Sequence, residues 1–315
     1  MQQQRAIHSA ALLICTYRRP QTFAKLIESV ATLELPPGLD FEIVIADNNP
    51  ESAWEAYVKP AVAGLPWPIH YGHEPVAGYS SARNKAIEVA LTKTAAGIFL
   101  FVDDDMILDK AWLREHLRSH IELGADVING RIYGVRERFA HGARLEKCGA
   151  GNVSFNRRLV DPAGLALRFD PEFNKLGMED QAFFREATRR GAVIMQSDLP
   201  LIYNYYGRNA PPEDEIINKM HTTGSMHHNM VALARRQKGV LPAAVMAAKG
   251  IVFGAKGCGL FMLSRARLAM GHAEQSRKSE LSSQKEFLKM RGRFAGFSGE
   301  IVNRQDVRRS DPAAK

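Results

Sequence analysis

Short apolar runs that alternate with helix-length amphipathic stretches through the first hundred residues leave this chain few folds to choose from. Ala11-Leu-Leu-Ile-Cys15, Phe41-Glu-Ile-Val-Ile-Ala46 and Gly97-Ile-Phe-Leu-Phe-Val102 read as buried strands, and residues 22–32 and about 80–92 between them read as helices. Strands separated by helices assemble as a parallel sheet with crossovers, so an α/β fold is expected, with a mostly parallel central sheet flanked by helices. Further on, residues 68–72, 126–133, 151–155 and 192–196 read as strands, and the aromatic stretch 203–206 closes the apparent domain. Residues 111–123, and a stretch from near Met178 to just before Gly191, read as helices. Ser80 or Ser81 is placed to cap the helix that follows it.

Each early strand ends in polar residues: Thr16-Tyr17-Arg18-Arg19, Asp47-Asn48-Asn49 and Asp103-Asp104-Asp105. In an open α/β sheet the ligand sits at those carboxyl ends. Three aspartates in a row at the end of a buried strand repel one another and lose hydration, which a divalent cation relieves. If the segment stays extended, Asp103 and Asp105 share one face and Asp104 points away. Mg²⁺ or Mn²⁺ takes one or two carboxylates together with phosphate and water oxygens, which suits a nucleotide-diphosphate clamp. A second reading has Asp104, Asp105 and Asp109 cap the helix at residues 111–123.

Five ordered motifs resemble family 2 of the GT-A-fold glycosyltransferases: Cys15-Thr-Tyr-Arg-Arg-Pro20, Ile45-Ala-Asp-Asn-Asn49, Gly78-Tyr-Ser-Ser-Ala-Arg-Asn-Lys85, Phe101-Val-Asp-Asp-Asp105 and Gly177-Met-Glu-Asp-Gln181. The resemblance spans roughly residues 8–205 and is nearest to exopolysaccharide transferases of succinoglycan type. It implies a GT-A nucleotide-sugar-binding fold in which Thr16, Tyr17 and Arg18 line the nucleotide pocket and Asp47 accepts the imide N–H of a pyrimidine. Arg83 would approach the diphosphate or brace the aspartates, Asp103 would meet the ribose or the metal's water shell, and Asp105 would be the direct metal ligand. Asp104 stands in the donor site where the family commonly carries Ser, and adds negative charge there.

By the same resemblance Asp180 is the catalytic base, with neighbouring Glu179 holding its basicity up against the helix dipole; simple capping of the helix is the other reading of this pair. Asn152, in the segment between metal site and base, would bond the donor sugar, and His221, His227 and His228 either supply a further metal ligand or are a helical cluster that is solvated or packed in the core.

Charge is unevenly placed: residues 231–315 hold 17 Lys and Arg against 6 Asp and Glu, while the remainder holds 25 against 28. We therefore divide the chain into a transferase domain, 1–235, and a basic C-terminal extension, 236–315, helical and partly amphipathic. Lys249, Lys256 and Arg267 fall on one side of a helix over 240–270, which suits either an anionic membrane surface or packing on the catalytic domain. Lys249 and Lys256 interrupt the apolar run, so no spanning helix is expected, and residues from about Glu274 are expected to form a partly disordered cationic tail. No aromatic-rich platform accompanies this charge, so nucleic acid is not expected as a partner.

The opening residues lack the pattern of a secretory signal, and Cys15, Cys148 and Cys258 lack the spacing of a zinc or redox site. The expectation is a cytoplasmic, inverting transferase that moves a sugar from a nucleotide diphosphate, a UDP-sugar, to a hydroxyl of a lipid-linked or glycan acceptor. Two alternatives remain: a sugar nucleotidyltransferase, although Thr16 to Pro20 lacks a glycine-rich phosphate loop, and a non-catalytic nucleotide-sugar-binding scaffold of the same fold.

Overall fold

The structure is a computed structural model and describes residues 7–134, 140–174, 177–205, 220, 223–224, 227–228, 231 and 240–296. Its elements run β1 (Ser9–Thr16), α1 (Pro20–Val30), β2 (Asp40–Asp47), a turn of wide helix leading into α2 (Lys59–Val62), β3 (Ile69–His73), α3 (Tyr79–Lys93) and β4 (Ile98–Asp103). Then come β5 (Met106–Leu108), α4 (Trp112–Leu123), β6 (Val127–Ile132), β7 (Arg144–Leu145), β8 (Asn152–Asn156), α5 (Glu179–Arg189) and β9 (Ile194–Asn204), and finally α6 (Val240–Ala269) and α7 (Ala273–Ala295).

The sheet is ordered β3-β2-β1-β4-β8-β6-β9-β5, with β7 beside β9. The first four strands are parallel, as the β/α alternation predicts, and β8 then enters antiparallel between β4 and β6. The chain steps outward from β1 to β2 and β3, then returns to place β4 on the other side of β1. That reversal is the topological switch at which open sheets bind ligands.

Strand alternation decides which helices cover which face. Leu13, Val44, Phe99, Phe101, Val153 and Phe155 point to one side and pack with Ala86 and Ile87 of α3 and Phe183 and Phe184 of α5. Leu12, Ile14, Ile43, Leu100 and Val102 point to the other and meet Phe23 and Leu26 of α1 and Trp112 and Leu117 of α4. Full burial of an aromatic or branched side chain stabilises the fold by roughly 1.5–3 kcal/mol each.

The ends differ in detail from expectation. Pro20 opens α1 at the first helical position, where its missing N–H costs nothing. Neither Ser80 nor Ser81 caps α3. The Ser81 N–H is received by Asn174 Oδ1 at 2.8 Å, while Ser80 Oγ donates to the Asp170 carbonyl. Asp109, not Asp104 or Asp105, serves the start of α4, its Oδ1 accepting Ala111 N–H at 3.0 Å. The strand read at residues 192–196 continues as β9 to Asn204, into the aromatic stretch that follows.

The chain divides into two compact units, residues 1–174 with 179–210, and residues 175–178 with 211–315. In the second unit α6 and α7 form an antiparallel hairpin, and residues 273–295 are helix rather than the disordered tail expected from Glu274 onward. The reason lies in small residues on both partners. Gly250, Gly254 and Gly257 leave room for Phe294, Met290 and Phe287. Ser276 and Ser283 hydrogen-bond Ser264 and the Gly257 carbonyl across the seam. Glycines that weaken an isolated helix here let two helices approach. Over Ala243–Ala269, α6 is long and apolar enough to cross a membrane by length and composition, so Lys249 and Lys256 do not exclude a span as expected.

Candidate active site

Register brings the polar strand ends together. Thr16 pairs with Asp47, Asp47 with His73 and Cys15 with Asp103, so the ends of β1, β2, β3 and β4 lie along one edge. β4 ends at Asp103, and Asp104 and Asp105 form a turn before β5. This corrects the extended reading of the triplet, because a turn removes the alternation that would give Asp103 and Asp105 a common face.

Asp103 follows the parity of Phe99 and Phe101 onto the face covered by α3 and α5. There Arg83 Nη2 donates to its Oδ1 at 3.3 Å. The other Arg83 nitrogen, Nη1, donates to Glu179 Oε1 at the start of α5, with both residues buried. Arg83 thus braces the strand end against the helix, one of the two roles expected of it. Glu179 is engaged by Arg83, whereas sequence reasoning had given it the task of tuning Asp180.

Asp180 Oδ1 accepts the Gln181 N–H at 2.6 Å, and its Oδ2 accepts the Ala150 N–H at 3.3 Å. A Cβ on Gly149 would sit 3.5 Å from Asp180 Oδ2, and one on Gly151 would sit 2.7 Å from Asp103 Oδ2. The Gly149-Ala150-Gly151 segment therefore passes close to both carboxylates, and a side chain at 151 would displace the Asp103 carboxylate.

Asp104 and Asp105 are held by a residue to which sequence reasoning gave no role. Arg19 Nη1 donates to Asp104 Oδ1 at 2.8 Å and to Asp105 Oδ2 at 3.0 Å, spanning the switch between β1 and β4. Arg18, just before it, is left-handed at φ 53°, a conformation costing a non-glycine residue about 1 kcal/mol. Its N–H bonds Asn49 Oδ1 at 2.9 Å, which secures the strained turn. The adjacent basic pair was the available signal, but one sequence does not say which arginine the turn sends inward.

Burial pushes Asp104 up to about 6, with Arg19 opposing and Asp105 reinforcing the rise. Burial also raises Asp103, opposed by Arg83 and reinforced by Asp105 and Asp180. The Cys15 thiol beside them is pushed up to about 12, chiefly by burial, so it is not a thiolate nucleophile at neutral pH. Five carboxylates, at 103, 104, 105, 179 and 180, face two guanidiniums, Arg19 and Arg83. Among the described residues no three His, Cys, Asp or Glu side chains converge as a metal cage. An excess of negative charge without a complete cage suits a hard cation that brings phosphate oxygens with it.

Asp47 is placed differently from its expected role of reading a base. It is fully buried, and its oxygens accept Asn49 N–H (2.9 Å), Asn49 Nδ2 (2.6 Å), Ala53 N–H (2.6 Å) and the Tyr71 hydroxyl (2.5 Å). Four donors fill the four acceptor directions of a carboxylate, so here Asp47 organises the loop after β2. Thr16 Oγ1 lies 3.2 Å from the Tyr57 hydroxyl, and Tyr17 N–H points to Asp104 Oδ2 at 3.4 Å, so Thr16 and Tyr17 border this cluster. Asn48 Oδ1 accepts Gly78 N–H while its amide donates to the Glu74 and Val76 carbonyls, fixing where α3, and hence Arg83, begins.

Asn152 does not face a donor sugar. Strand parity turns it towards α4, where its Oδ1 accepts Trp112 Nε1 (2.7 Å) and lies 2.9 Å from His116 Nε2. Its amide donates to the Arg131 and Pro200 carbonyls. His221 lies outside the described residues. His227 packs on Phe253 in the helical unit, lowered to about 4 chiefly by burial and further by Arg293 and Lys289. His228 also lies in that unit, and among the described residues neither belongs to a metal-holding cluster.

A mixed sheet whose acidic strand end meets a switch-point loop, with helices on both faces and a helical C-terminal region, is a GT-A-type fold. The sequence profile of Glycosyl transferase family 2 matches residues 11–178, and the chain belongs to that family. The succinoglycan biosynthesis protein ExoM of Rhizobium meliloti (strain 1021) is 27% identical over 235 residues, covering 70% of this chain and 74% of ExoM. Among solved structures, the mannosyltransferase PcManGT from Pyrobaculum calidifontis, in complex with GDP-Man and Mn²⁺, superposes with a TM-score of 0.59 at 12% identity, covering 92% of this chain and 88% of that one. S. aureus TarS superposes at 0.51 and 16% identity over 88% of this chain, which spans only 55% of TarS; its 1–349 fragment in complex with UDP gives 0.50 at 15% identity over 88% and 89%.

Proposed function

We propose that the chain is an inverting transferase that moves a sugar from a nucleotide diphosphate, a UDP-sugar, to a hydroxyl of a lipid-linked glycan in exopolysaccharide synthesis. The observation that carries this reading is the placement of Asp180 and Asp103 close to the Gly149–Gly151 segment, which sets a base beside the acidic strand end. Asp180 takes the proton of the attacking hydroxyl. Asp105 would hold Mn²⁺ or Mg²⁺ directly and Asp103 would reach its water shell; when bound, the ion offsets the charge that builds on the departing nucleotide diphosphate. Arg83 keeps the acidic strand end in register with α5, and Thr16 to Arg18 border the nucleotide.

Three relatives support the class of donor and acceptor: ExoM by its part in succinoglycan biosynthesis, and TarS and PcManGT by the UDP, GDP-Man and Mn²⁺ in their structures. A panel of sugar nucleotides incubated with and without Mn²⁺, on a polyprenyl-linked acceptor with the product anomer read by NMR, tests the proposal. Retention of configuration, or turnover indifferent to every divalent cation, would refute it. Ligand-induced stabilisation without turnover would favour a scaffold instead.

We further read residues 1–235 as the catalytic domain and 236–315 as an extension that rests on the inner face of the cytoplasmic membrane. Val245, Ile251, Val252, Met262 and Leu263 are exposed along α6 on the side away from α7, with Lys249 at its edge and Lys256 beside it paired to Glu286 of α7 at 3.2 Å. α7 covers the opposite side of α6 through Phe287, Met290 and Phe294 and leaves Glu274, Arg277, Lys278, Lys285 and Arg291 exposed, which suits a hairpin lying on anionic lipid better than one crossing it. Co-sedimentation with vesicles containing phosphatidylglycerol, lost in a Val252→Glu/Met262→Glu variant, is the expected outcome. Equal recovery with neutral vesicles would count against the charge component.

A further inference from the structure

Arg19 sits where a metal's charge is needed. One guanidinium nitrogen bridges Asp104 and Asp105 across the switch between β1 and β4, and its side chain keeps 30% of its surface exposed while that of Asp104 keeps 7%. Its backbone is pinned on both sides, by the left-handed Arg18 before it and by Pro20, which opens α1, after it. Only the side chain has freedom to move, and it reaches Asp105 through one oxygen, Oδ2, at the more open end of the pair.

We propose that Arg19 is a resident counter-ion that occupies Asp105 until a cation-bound diphosphate displaces it, so that metal and nucleotide enter together rather than metal alone. This rests on the metal-dependent reading above. The physical case is competition. A guanidinium and a divalent ion cannot share one carboxylate oxygen, and a positive charge within about 4 Å opposes cation entry by an order of magnitude or more in affinity at a partly exposed site. A diphosphate reverses that balance, because its oxygens supply both the missing metal ligands and a new bidentate partner for the displaced guanidinium. Asp104 then has a positional reason to be acidic: it keeps a second hold on Arg19, whose charge stays beside the site after Asp105 is released.

The test is Mn²⁺ binding, read from the free-ion EPR signal, to the full chain with and without UDP. Wild-type protein is expected to bind Mn²⁺ at least about tenfold more tightly when UDP is present. Arg19→Gln is expected to bind Mn²⁺ about tenfold more tightly than wild type without UDP, and to lose most of the UDP enhancement. Arg19→Lys, which keeps the charge and is the milder change for folding, is expected to stay within a few-fold of wild type. Unchanged or weaker Mn²⁺ binding by folded Arg19→Gln, or equal gains in the Gln and Lys variants, overturns the counter-ion role while leaving metal dependence standing. If wild-type protein binds no Mn²⁺ even with UDP, the metal reading fails and this role falls with it.

Discussion

Arg83 and Glu179 form a buried ion pair between residues 96 positions apart, and that pair joins helix α3 to the start of α5. Because the second Arg83 nitrogen holds Asp103, the same guanidinium fixes the distance between the strand-end aspartate and the segment that carries Asp180.

Removing one partner of a buried pair leaves the other charged and desolvated. Glu179→Gln and Arg83→Met are each expected to lower stability by about 3–5 kcal/mol. The double variant should lose much less than the sum. Chemical denaturation of the four proteins gives the coupling, and additive losses would show that the pair does not act as a unit.

Asp180→Asn is expected to reduce kcat about a thousandfold while leaving the stabilisation by UDP and Mn²⁺ intact. Asp105→Ala should instead abolish the Mn²⁺-dependent part of that stabilisation. Thermal shift with and without the ion, alongside turnover, separates the two; loss of donor affinity in the Asp180 variant would remove it from the base role.

Asn152 contributes both amide ends to a buried network with Trp112, His116 and two carbonyls. Asn152→Ala strands several of those groups, and we expect a loss of about 2–4 kcal/mol. A drop in Tm with KM for the donor unchanged in the remaining folded enzyme is the signature of that structural role. A raised KM at unaltered Tm would restore the sugar contact.

His116 and His120 lie in the same layer, the first lowered to about 3 by burial and by its neighbour, with the Asn152 bond opposing, and the second to about 4 by burial, with the Ala125 carbonyl and Asp126 opposing. Unfolded, each takes up a proton near pH 6.5; folded, each resists until far lower pH. Stability attributable to them is therefore complete above about pH 6.5 and falls as pH drops towards 4, by up to about 1.4 kcal/mol per pH unit for each histidine. Denaturation midpoints between pH 7 and pH 4.5, compared with a His116→Gln/His120→Gln variant, measure the slope. An equal slope in that variant would assign it to the carboxylates.

The sequence by itself determined the parallel half of the sheet, the edge where ligand chemistry gathers and the family. Apolar period and strand-end polarity are local properties, and Ala11–Cys15, Phe41–Ala46 and Gly97–Val102 each carry them in full. What required the tertiary structure was direction. The turn at Asp104 and Asp105 separates the triplet, parity sends Asn152 to the α4 side, four donors converge on Asp47, and Arg19 rather than Arg18 reaches across to β4. The hairpin of α6 and α7 was equally hidden, since glycines that weaken a lone helix become its contact surface only beside a partner. A side chain's partner is set by register and by the packing of segments distant in sequence, and neither is written in the residues flanking it.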